Sequence, residues 1–357
     1  MVKNTKVVHI GNVSVGGKHP CFIIAEVGVN HNGSIAIAKK LIKEAKKVGA
    51  DVVKFQTFVA ENIVTRSAST AEYQKVNTKS QQSQFNMLKK LELSEKDFQK
   101  LKAYCDKVGI IFMSTPHSSA KDIEVVAKLS PAIKIASGDI TNFPFLEHIA
   151  KSKKPIIMST GMSTLKEVKG AVSFVKKYNK NLIVLHCTTN YPTDTSDANL
   201  RAMETISKAC RVSVGYSDHT ANAMTAAVAV AMGACVIEKH FTLDKRMPGP
   251  DHRASLEPIE FKTMVQNIRF VETLMGSPTK KPTVSEQKTK KVARKSIVVR
   301  IMIRKGERIT PRSLIIKRPG TGLASKYLPL VIGRKAAKDL LPDSLVPKEA
   351  LYWKRKK

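Results

Sequence analysis

The strongest constraint on the fold is a regular alternation of short apolar segments with amphipathic ones between residues 22 and 275. The apolar runs are short, rich in Val, Ile and Phe, and bounded by polar or Gly residues, which is typical of parallel strands buried on both faces. Segments with helical periodicity separate them. The predicted strands are Phe22–Ala25, Asp51–Phe55, Gly109–Met113, Ile133–Ala136, Pro155–Met158, Leu182–Leu185, Val212–Val214 and Cys235–Ile237.

The intervening segments carry helix start signals. Ser94 with Asp97 and Thr164 with Glu167 form capping-box patterns, in which two side chains bond reciprocally to the first helical turn. Eight strand–helix units in 357 residues predict an α/β fold of the TIM-barrel, (β/α)8, type. The alternative is a doubly wound open sheet, but no GxGxxG motif opens a helix after the first strand. The predicted helices include Ile35–Val48, Glu95–Val108, Leu165–Tyr178, Ala221–Met232 and Pro258–Met275.

The composition and the residue pattern of the chain change at both ends of the barrel region. A small hairpin is predicted at residues 5–16, and a Pro- and Lys-rich stretch with a charged, helix-like segment follows Met275. The sequence thus predicts a catalytic barrel domain at residues 1–275, a linker at 276–293 and a small β-rich domain at 294–357. The Gln-rich stretch Val59–Leu93 is too long for an ordinary connection and predicts a functional loop or lid.

The charge balance is unusual for a globular protein. Lys and Arg number 61 against 29 Asp and Glu, giving a net charge of +32. The basic residues are spread along the chain, with tight clusters only at 280–281, 288–295 and 354–357, and no nucleic-acid-binding motif accompanies them. We therefore expect no specific nucleic-acid partner, and a basic surface that helps to attract anionic substrates.

The five cysteines are scattered and form no CxxC pair. This pattern argues against a disulfide framework or a zinc knuckle and is typical of a reducing compartment. No apolar run approaches the roughly 20 residues of a membrane helix, and the N-terminus lacks the apolar core of a signal peptide. A cytoplasmic location without membrane association is the expectation.

The barrel hypothesis predicts where chemistry should lie, because active sites of this fold form at the C-terminal ends of the strands. Every predicted strand is followed there by polar residues. Taken singly, each has a plain structural explanation: Lys54 as a surface lysine, for example, or His186 as a hydrogen-bonded core residue. Together they predict a deep polar pocket with several cations. They are Glu26, Asn30, His31, Lys54, Gln56, Ser114, Thr115, Lys134, Ser137, Asp139, Ser159, Thr160, His186, Thr188, Asn190, Tyr191, Tyr216–His219 and Glu238–His240.

The residue types in this pocket suggest a chemistry. Lys54 and Lys134 suit a phosphate and a carboxylate. His219 and His240 follow the seventh and eighth strands and are candidates for one divalent metal site with open positions for water and a substrate oxygen. Without a thiolate cluster, Mn²⁺ is the expected ion, with Mg²⁺ or Co²⁺ as alternatives. Glu26 could orient a substrate hydroxyl or accept a proton. Together the residues predict a metal-dependent barrel enzyme acting on a phosphorylated or acidic metabolite.

Short motifs recur at the predicted strand ends and in the small domain. The barrel motifs are Ala25–Gly33, Val53–Phe58, Ser114–Pro116, Lys134–Gly138, Ser159–Met162, His186–Thr188, Tyr191–Pro192, Tyr216–His219, Glu238–Thr242 and Gly249–His252. Together they resemble the sialic acid synthase family, which comprises N-acetylneuraminate synthases and their legionaminate and pseudaminate relatives. In the small domain, Lys317–Gly322 (KRPGTG) is similar to the SAF domain of that family, an antifreeze-like β-clip fold. The resemblance spans essentially residues 20–350.

The resemblance implies condensation of phosphoenolpyruvate with the open-chain aldehyde of an N-acylated amino sugar, with C–O cleavage and release of phosphate. The sugar would be N-acetylmannosamine, or alternatively 2,4-diacetamido-2,4,6-trideoxymannose, which would give diacetyllegionaminate. The resemblance also implies His219 and His240 as metal ligands. The implied contacts of phosphoenolpyruvate are Lys54, Lys134, Ser137, Thr115, Asn190 or its neighbour Thr189, Ser217 and Glu238.

The remaining roles follow from the same resemblance. Glu26 would act near the incoming water and the reacting carbon, while Gln56, Tyr191 and Asp251 would face the sugar or the metal-bound aldehyde. Arg318 of the small domain would reach the N-acyl group of the sugar, in this family across a domain-swapped homodimer.

Three positions depart from the family pattern: Asp139 stands where Glu is frequent, His117 where Phe is common, and Thr189-Asn190 in a variable stretch. All three lie where the sugar would sit, so the exact sugar stays open. Two alternatives of other classes are a metal-dependent barrel aldolase or hydrolase with a carbohydrate-binding module, and a non-catalytic binder of sugar or nucleic acid. The set of two lysines and two histidines disfavours the binder, which has no need of a metal pair.

Overall fold

The chain divides into two compact units, Met1–Gly276 and Ser277–Lys357. The computed structural model describes residues 6–71, 74–75, 77, 83–117 and 119–351. Part of the predicted lid, including Gln81 and Gln82, and the basic tail Lys354–Lys357 lie outside the described residues.

The first unit is built on a closed barrel of parallel strands, in which the last strand pairs with the first. An antiparallel hairpin of β1 (Val8–Ile10) and β2 (Val13–Val15) precedes the barrel. The TIM-barrel prediction is confirmed. The barrel strands are β3 (Phe22–Gly28), β4 (Val52–Thr57), β5 (Ile111–Pro116), β6 (Ile133–Ile135), β7 (Ile156–Ser159), β8 (Leu182–Cys187), β9 (Ser213–Asp218) and β10 (Val236–His240).

Helices surround this barrel, and several begin as the sequence predicts. Both capping boxes are present, Ser94 with Asp97 and Thr164 with Glu167. The helices are α1 (Ile35–Lys47), α2 (Ala60–Ile63), α3 (Gln84–Lys89), α4 (Glu95–Val108), α5 (Ala120–Leu129), α6 (Phe143–Lys151), α7 (Leu165–Tyr178), α8 (Ala202–Cys210), α9 (Thr225–Ala231) and α10 (Pro258–Met275). Within the described part of the chain, no helix combines the length and apolarity needed to cross a membrane.

Helix α9 begins later than predicted, at Thr225 rather than Ala221. The Asn222 side-chain oxygen accepts hydrogen bonds from the backbone N–H groups of Met224 and Thr225, each at 2.9 Å. An Asn that bonds to the backbone two and three residues ahead offers it an alternative to the helical ladder. Residues 221–224 therefore form a structured turn between β9 and α9.

Alternation along the strands assigns one face to the helices and the other to the barrel interior. Ile23, Ala25 and Val27 of β3 pack in the large cluster under the helices. Phe22 and Ile24 point inward and join a second cluster with the hairpin residues Val8, Ile10 and Val15. The N-terminal half of the barrel interior is thus apolar and closed by the hairpin, which leaves the C-terminal half for polar side chains.

The predicted strand ends are corrected by the structure, because most strands run beyond their apolar segments. β3 extends to include Glu26, β4 to include Gln56, and β10 to include Glu238 and His240. Their backbones remain in the parallel ladder, with His240 opposite Glu26 and Glu26 opposite Lys54. The apolar run stops earlier than the strand because the last inward positions face a polar pocket rather than the core.

The second unit has its own small core. It comprises α11 (Val284–Ala293) within the predicted linker, β11 (Ser296–Val299) paired antiparallel with β12 (Leu314–Lys317), and α12 (Leu328–Val331). Isolated bridges such as Ile303 with Leu340 hold the remaining turns. The ladder of β11 with β12 ends at Val299. The core residues include Ile297, Val299, Ile303, Ile309, Leu314, Val331, Leu340 and Val346.

Two glycines provide a test of the barrel packing. A Cβ on Gly215 would lie 2.7 Å from Leu185 Cδ2 and 2.8 Å from Val236 Cβ, whereas one on Gly170 of α7 would meet nothing within 4 Å. We expect Gly215→Ala to destabilise the barrel by about 1–3 kcal/mol through overpacking. Gly170→Ala should stabilise it by roughly 0.5–1 kcal/mol, because Ala restricts the unfolded chain and suits a helix interior.

Thermal unfolding followed by circular dichroism measures both effects on the same transition. A Gly215→Ala variant as stable as the parent chain would contradict the close approach of β8, β9 and β10.

Candidate active site

A polar cavity of about 150 Å³ lies at the C-terminal ends of the barrel strands. Inward positions of β3, β4, β6 and β10 supply Glu26, Lys54, Lys134, Glu238 and His240, as expected from strand alternation, and His219 directly follows β9. The structure brings most of the predicted site residues together here. Those that line the cavity are Glu26, Lys54, Gln56, Thr115, Lys134, Ser137, Thr189, Tyr191, Ser217, His219, Glu238 and His240.

Two buried lysines and two buried glutamates form a charge network across the cavity. Lys54 Nζ lies 2.5 Å from Glu26 Oε2 and 3.6 Å from Glu238 Oε2. Lys134 Nζ lies 3.6 Å from Glu238 Oε1. Glu238 therefore stands between the two lysines, and each buried charge has an opposite charge within reach.

Hydroxyl groups complete the surroundings of the lysines. Lys54 Nζ donates to Thr115 Oγ1 at 3.1 Å, and Lys134 Nζ donates to Ser159 Oγ at 2.7 Å. Ser217 Oγ donates to Glu238 Oε1 at 3.1 Å. Ammonium groups and nearby hydroxyls of this kind can bind the oxygens of an anionic ligand.

The two glutamates differ in electrostatic character. Burial raises the pKa of Glu26, and Lys54 opposes the shift without cancelling it. Burial would also raise the pKa of Glu238, but Lys134 and Lys54 outweigh it and the pKa of Glu238 is lowered. Glu26 is thus the carboxylate more ready to accept a proton, whereas Glu238 stays ionised.

The lysines differ as well. Burial would lower the pKa of Lys54, but the carboxylates of Glu238 and Glu26 raise it above its ordinary value. Burial lowers the pKa of Lys134, because the Glu238 carboxylate compensates only in part and the neighbouring charge of Lys54 adds to the lowering. Lys54 is therefore the more firmly held positive charge of the cavity.

His219 and His240 fit one shared divalent ion. Their ring centroids are 5.4 Å apart, and an ion bound at about 2.1 Å from a nitrogen of each ring can bridge such a separation. His219 Nδ1 lies 2.7 Å from the Thr188 carbonyl oxygen, so this nitrogen carries the hydrogen and Nε2 is left for a metal. His240 Nδ1 is buried and has no hydrogen-bond partner among the described residues.

The protein ligands of such a site are few. Among the described residues, no group of three or more His, Cys, Asp or Glu gathers to hold an ion. Two imidazoles alone would leave several coordination positions to water and to substrate oxygens, as a catalytic site requires. The ring centroids of Tyr191 and His219 are 4.2 Å apart, so Tyr191 limits the space around the two histidines.

Three residues predicted to contact the substrate, Asp139, Asn190 and Asp251, do not line this cavity. The other predicted pocket residues that do not line it are Asn30, His31, Ser114, Thr160, His186, Thr188, Tyr216, Asp218 and Lys239. Asp139 Oδ2 lies 3.9 Å from His117 Nδ1, and burial raises the pKa of Asp139 to about 6. Asn190 is exposed and lines a neighbouring cavity of about 590 Å³. Thr189 rather than Asn190 therefore faces the lysines. Asp251 is buried, and burial with the nearby Glu26 charge raises its pKa to about 7.

Arg318 belongs to the second unit, where its side chain is exposed. The peptide bond between Arg318 and Pro319 is cis. Its role toward a sugar stays a prediction from the sequence.

The sequence placed Ser159 in the pocket as a strand-end residue but indicated no ligand contact for it, for His117 or for Cys187, all of which line the cavity. The strand-end rule located Ser159 correctly, since it is the last residue of β7. His117 stood out only as a departure from a family pattern. Cys187 could not be recognised as a site residue because a lone cysteine belongs to no spaced cysteine motif. In the structure its Sγ lies 3.7 Å from His219 Nδ1.

Known proteins share this architecture and these sequences. The NeuB family model matches residues 41–280, and the SAF domain model matches residues 294–351. The N,N'-diacetyllegionaminic acid synthase of Legionella pneumophila is 46% identical over 330 residues, covering 91% of this chain and 93% of that protein. The N-acetylneuraminate-9-phosphate synthase of Mus musculus is 37% identical, covering 96% of each chain.

A solved structure is also similar. The N-acetylneuraminic acid synthetase of Leptospira borgpetersenii, crystallised with citrate, superimposes with a TM-score of 0.71 at 34% identity, covering 80% of this chain and 95% of the other. The predicted sialic acid synthase resemblance is confirmed, and the chain belongs to the NeuB family, with a SAF domain at residues 294–351.

Proposed function

We propose that this protein is a nonulosonic acid synthase that condenses phosphoenolpyruvate with the open-chain aldehyde of an N-acylated amino sugar. The observation that carries the proposal is the pair of buried lysines, Lys54 and Lys134, in one cavity with the imidazoles of His219 and His240. The names of the relatives, which are synthases of sialic and legionaminic acids, support it.

Phosphoenolpyruvate is a small anion with a phosphate and a carboxylate, and the cavity is suited to both. Lys54 and Lys134 offset the negative charge, while the hydroxyls of Thr115, Ser159 and Ser217 are close enough to the network to share hydrogen bonds with the ligand. The ligand would displace part of the contact between the lysines and the glutamates. Binding would exchange one set of ion pairs for another rather than bury uncompensated charge.

In the proposed reaction the methylene carbon of phosphoenolpyruvate forms a bond with the aldehyde carbon of the sugar, while the C=O π bond of the aldehyde opens and its oxygen takes up a proton to become a hydroxyl. Water adds to the carbon that carries the phosphate, and the C–O bond to phosphate breaks. Glu26, with its raised pKa, would take the proton of the incoming water. A divalent ion held by His219 and His240 would supply Lewis-acid polarisation of the aldehyde. Buried walls limit the access of other water molecules.

For the sugar, the relatives support 2,4-diacetamido-2,4,6-trideoxymannose. Two N,N'-diacetyllegionaminic acid synthases are 46% and 45% identical to this chain, against 37% for an N-acetylneuraminate-9-phosphate synthase. N-acetylmannosamine is the second candidate. Phosphate release from phosphoenolpyruvate with each sugar separately tests the whole proposal, and no release with any amino sugar would contradict it.

The first prediction for this site concerns the metal. His219→Ala and His240→Ala should each abolish Mn²⁺ binding and turnover, because one remaining imidazole is too few to retain the ion. Calorimetric titration with Mn²⁺ measures the binding. His186→Ala is the matched control, since the His186 ring contacts the Ala198 carbonyl outside the pair, and it should keep its Mn²⁺ affinity. Unchanged affinity in either of the first two variants removes that histidine from the ligand set.

The second prediction concerns the bond that breaks. In ¹⁸O-enriched water, C–O cleavage leaves the released phosphate unlabelled, because water attacks carbon and the bridging oxygen departs with phosphorus. Mass spectrometry of the phosphate gives the answer, with the same reaction in ordinary water as the control. Label in the phosphate would indicate P–O hydrolysis and favour the hydrolase alternative.

The third prediction concerns Arg318. A charge-assisted hydrogen bond to an N-acyl oxygen is lost in Arg318→Ala, so the KM for the sugar should rise by about tenfold to a hundredfold. The KM for phosphoenolpyruvate should change far less. Arg312→Ala, at another exposed arginine of the same unit, is the matched control. Equal KM values for the sugar in all three proteins would exclude the role that the sequence assigns to Arg318.

A further inference from the structure

A fully buried ion pair lies on the outer side of β9 and β10, away from the cavity. Lys239 Nζ is 2.8 Å from Asp218 Oδ2, and both side chains have no exposed surface. The two residues are direct partners in the parallel register of the strands. Neither residue lines the cavity that contains the charge network of Lys54 and Lys134.

The pair also fixes the turn that follows β9. Lys239 Nζ donates to the carbonyl oxygens of Thr220 and Asn222. Asp218 Oδ1 accepts from the Thr220 N–H at 2.9 Å and from Thr220 Oγ1 at 2.8 Å. Both carboxylate oxygens and the ammonium group of Lys239 thus have protein partners, which joins two strand ends and one turn into a single hydrogen-bonded unit.

This unit adjoins the two histidines directly along the chain. Asp218 precedes His219, and Lys239 precedes His240. Successive side chains of a strand point to opposite faces, so an outward ion pair at one position places the next side chains inward. The backbone oxygens of both histidines are fixed as well, since Thr193 N–H donates to His219 O at 2.8 Å and Leu256 N–H donates to His240 O at 2.9 Å.

Burying two charges has a large desolvation penalty, and well-packed apolar residues of similar volume often give equal or greater stability. A pair of this kind is therefore weak evidence of a stabilising role. Its bonds instead restrict the relative position of β9 and β10 at the level where the imidazoles project. Residues that orient metal ligands in this way commonly change metal affinity when they are replaced.

We propose that Asp218 and Lys239 are positioning residues, which hold the His219 and His240 imidazoles at the spacing that one divalent ion requires. The inference rests on the proposed metal site. The ion pair does not touch substrate, and it acts through the two strands and the turn at 220–222.

The test compares the parent chain with Asp218→Asn/Lys239→Met, a double variant that removes both charges together. Asn at position 218 keeps an acceptor for the Thr220 N–H, and Met keeps most of the volume of Lys239. Asp218→Leu/Lys239→Met is a second variant for use if the first does not fold. The matched control is Lys245→Met/Glu260→Gln, which removes a partly exposed ion pair of 2.6 Å that follows β10.

The double variant should bind Mn²⁺ about tenfold to a hundredfold more weakly by calorimetry. The electron paramagnetic resonance spectrum of bound Mn²⁺ should change, because the geometry of its ligands changes. The melting temperature and the KM for phosphoenolpyruvate at saturating Mn²⁺ should stay close to those of the parent chain. The control variant should match the parent chain in Mn²⁺ affinity and in spectrum.

Two outcomes would overturn the inference in different ways. Parent-like Mn²⁺ affinity and spectrum in a folded double variant would mean that the ion pair is structural only, with the metal site intact. Failure of the parent chain itself to bind Mn²⁺ would overturn the proposed metal site, and the positioning role with it.

Discussion

The mutual compensation of buried charges is the constraint on which the site depends. Lys54, Lys134, Glu26 and Glu238 are all nearly inaccessible to water, and an isolated charge in that position would be strongly unfavourable. Each is tolerated because another strand presents an opposite charge at the same level of the barrel. The closed ring of strands makes this possible, since it directs one side chain from each strand toward a common centre. The polar cavity therefore depends directly on closure of the barrel.

The same compensation prepares the cavity for an anionic ligand. Lys54 interacts with both glutamates, whereas among the described residues Lys134 has Glu238 alone within ion-pair distance. Glu238 is shared by the two lysines and stays ionised, while burial shifts Glu26 toward the protonated form. A ligand that replaces Glu26 at Lys54 would leave that carboxylate without its cation and more basic. Ligand binding and the proton-accepting capacity of Glu26 are therefore coupled through a single lysine.

Most of this arrangement could be predicted from the sequence, because it follows from periodicity. The alternation of apolar runs with helical segments predicted the barrel, and the polar residues at the strand ends predicted most of the cavity lining. Periodicity gives no information beyond the strands, which is why Asp139 and Asn190 in the following loops were placed in the site although neither lines it. The ion pair of Asp218 with Lys239 was also not predictable. Its members are 21 residues apart, and their pairing depends on the register of β9 with β10.

That ion pair changes how the two histidine motifs should be interpreted. In Glu238-Lys239-His240 the outer residues point into the cavity and the middle one points away from it, as does Asp218 between Ser217 and His219. Contiguous residues of one motif therefore have two functions, ligand chemistry on one face and strand alignment on the other. A barrel has only a few residues per strand at its mouth, so precise placement of the inner side chains depends on bonds made by their outward neighbours. In this fold, one should therefore determine whether a motif residue points into the barrel or toward the helices before assigning it a chemical role.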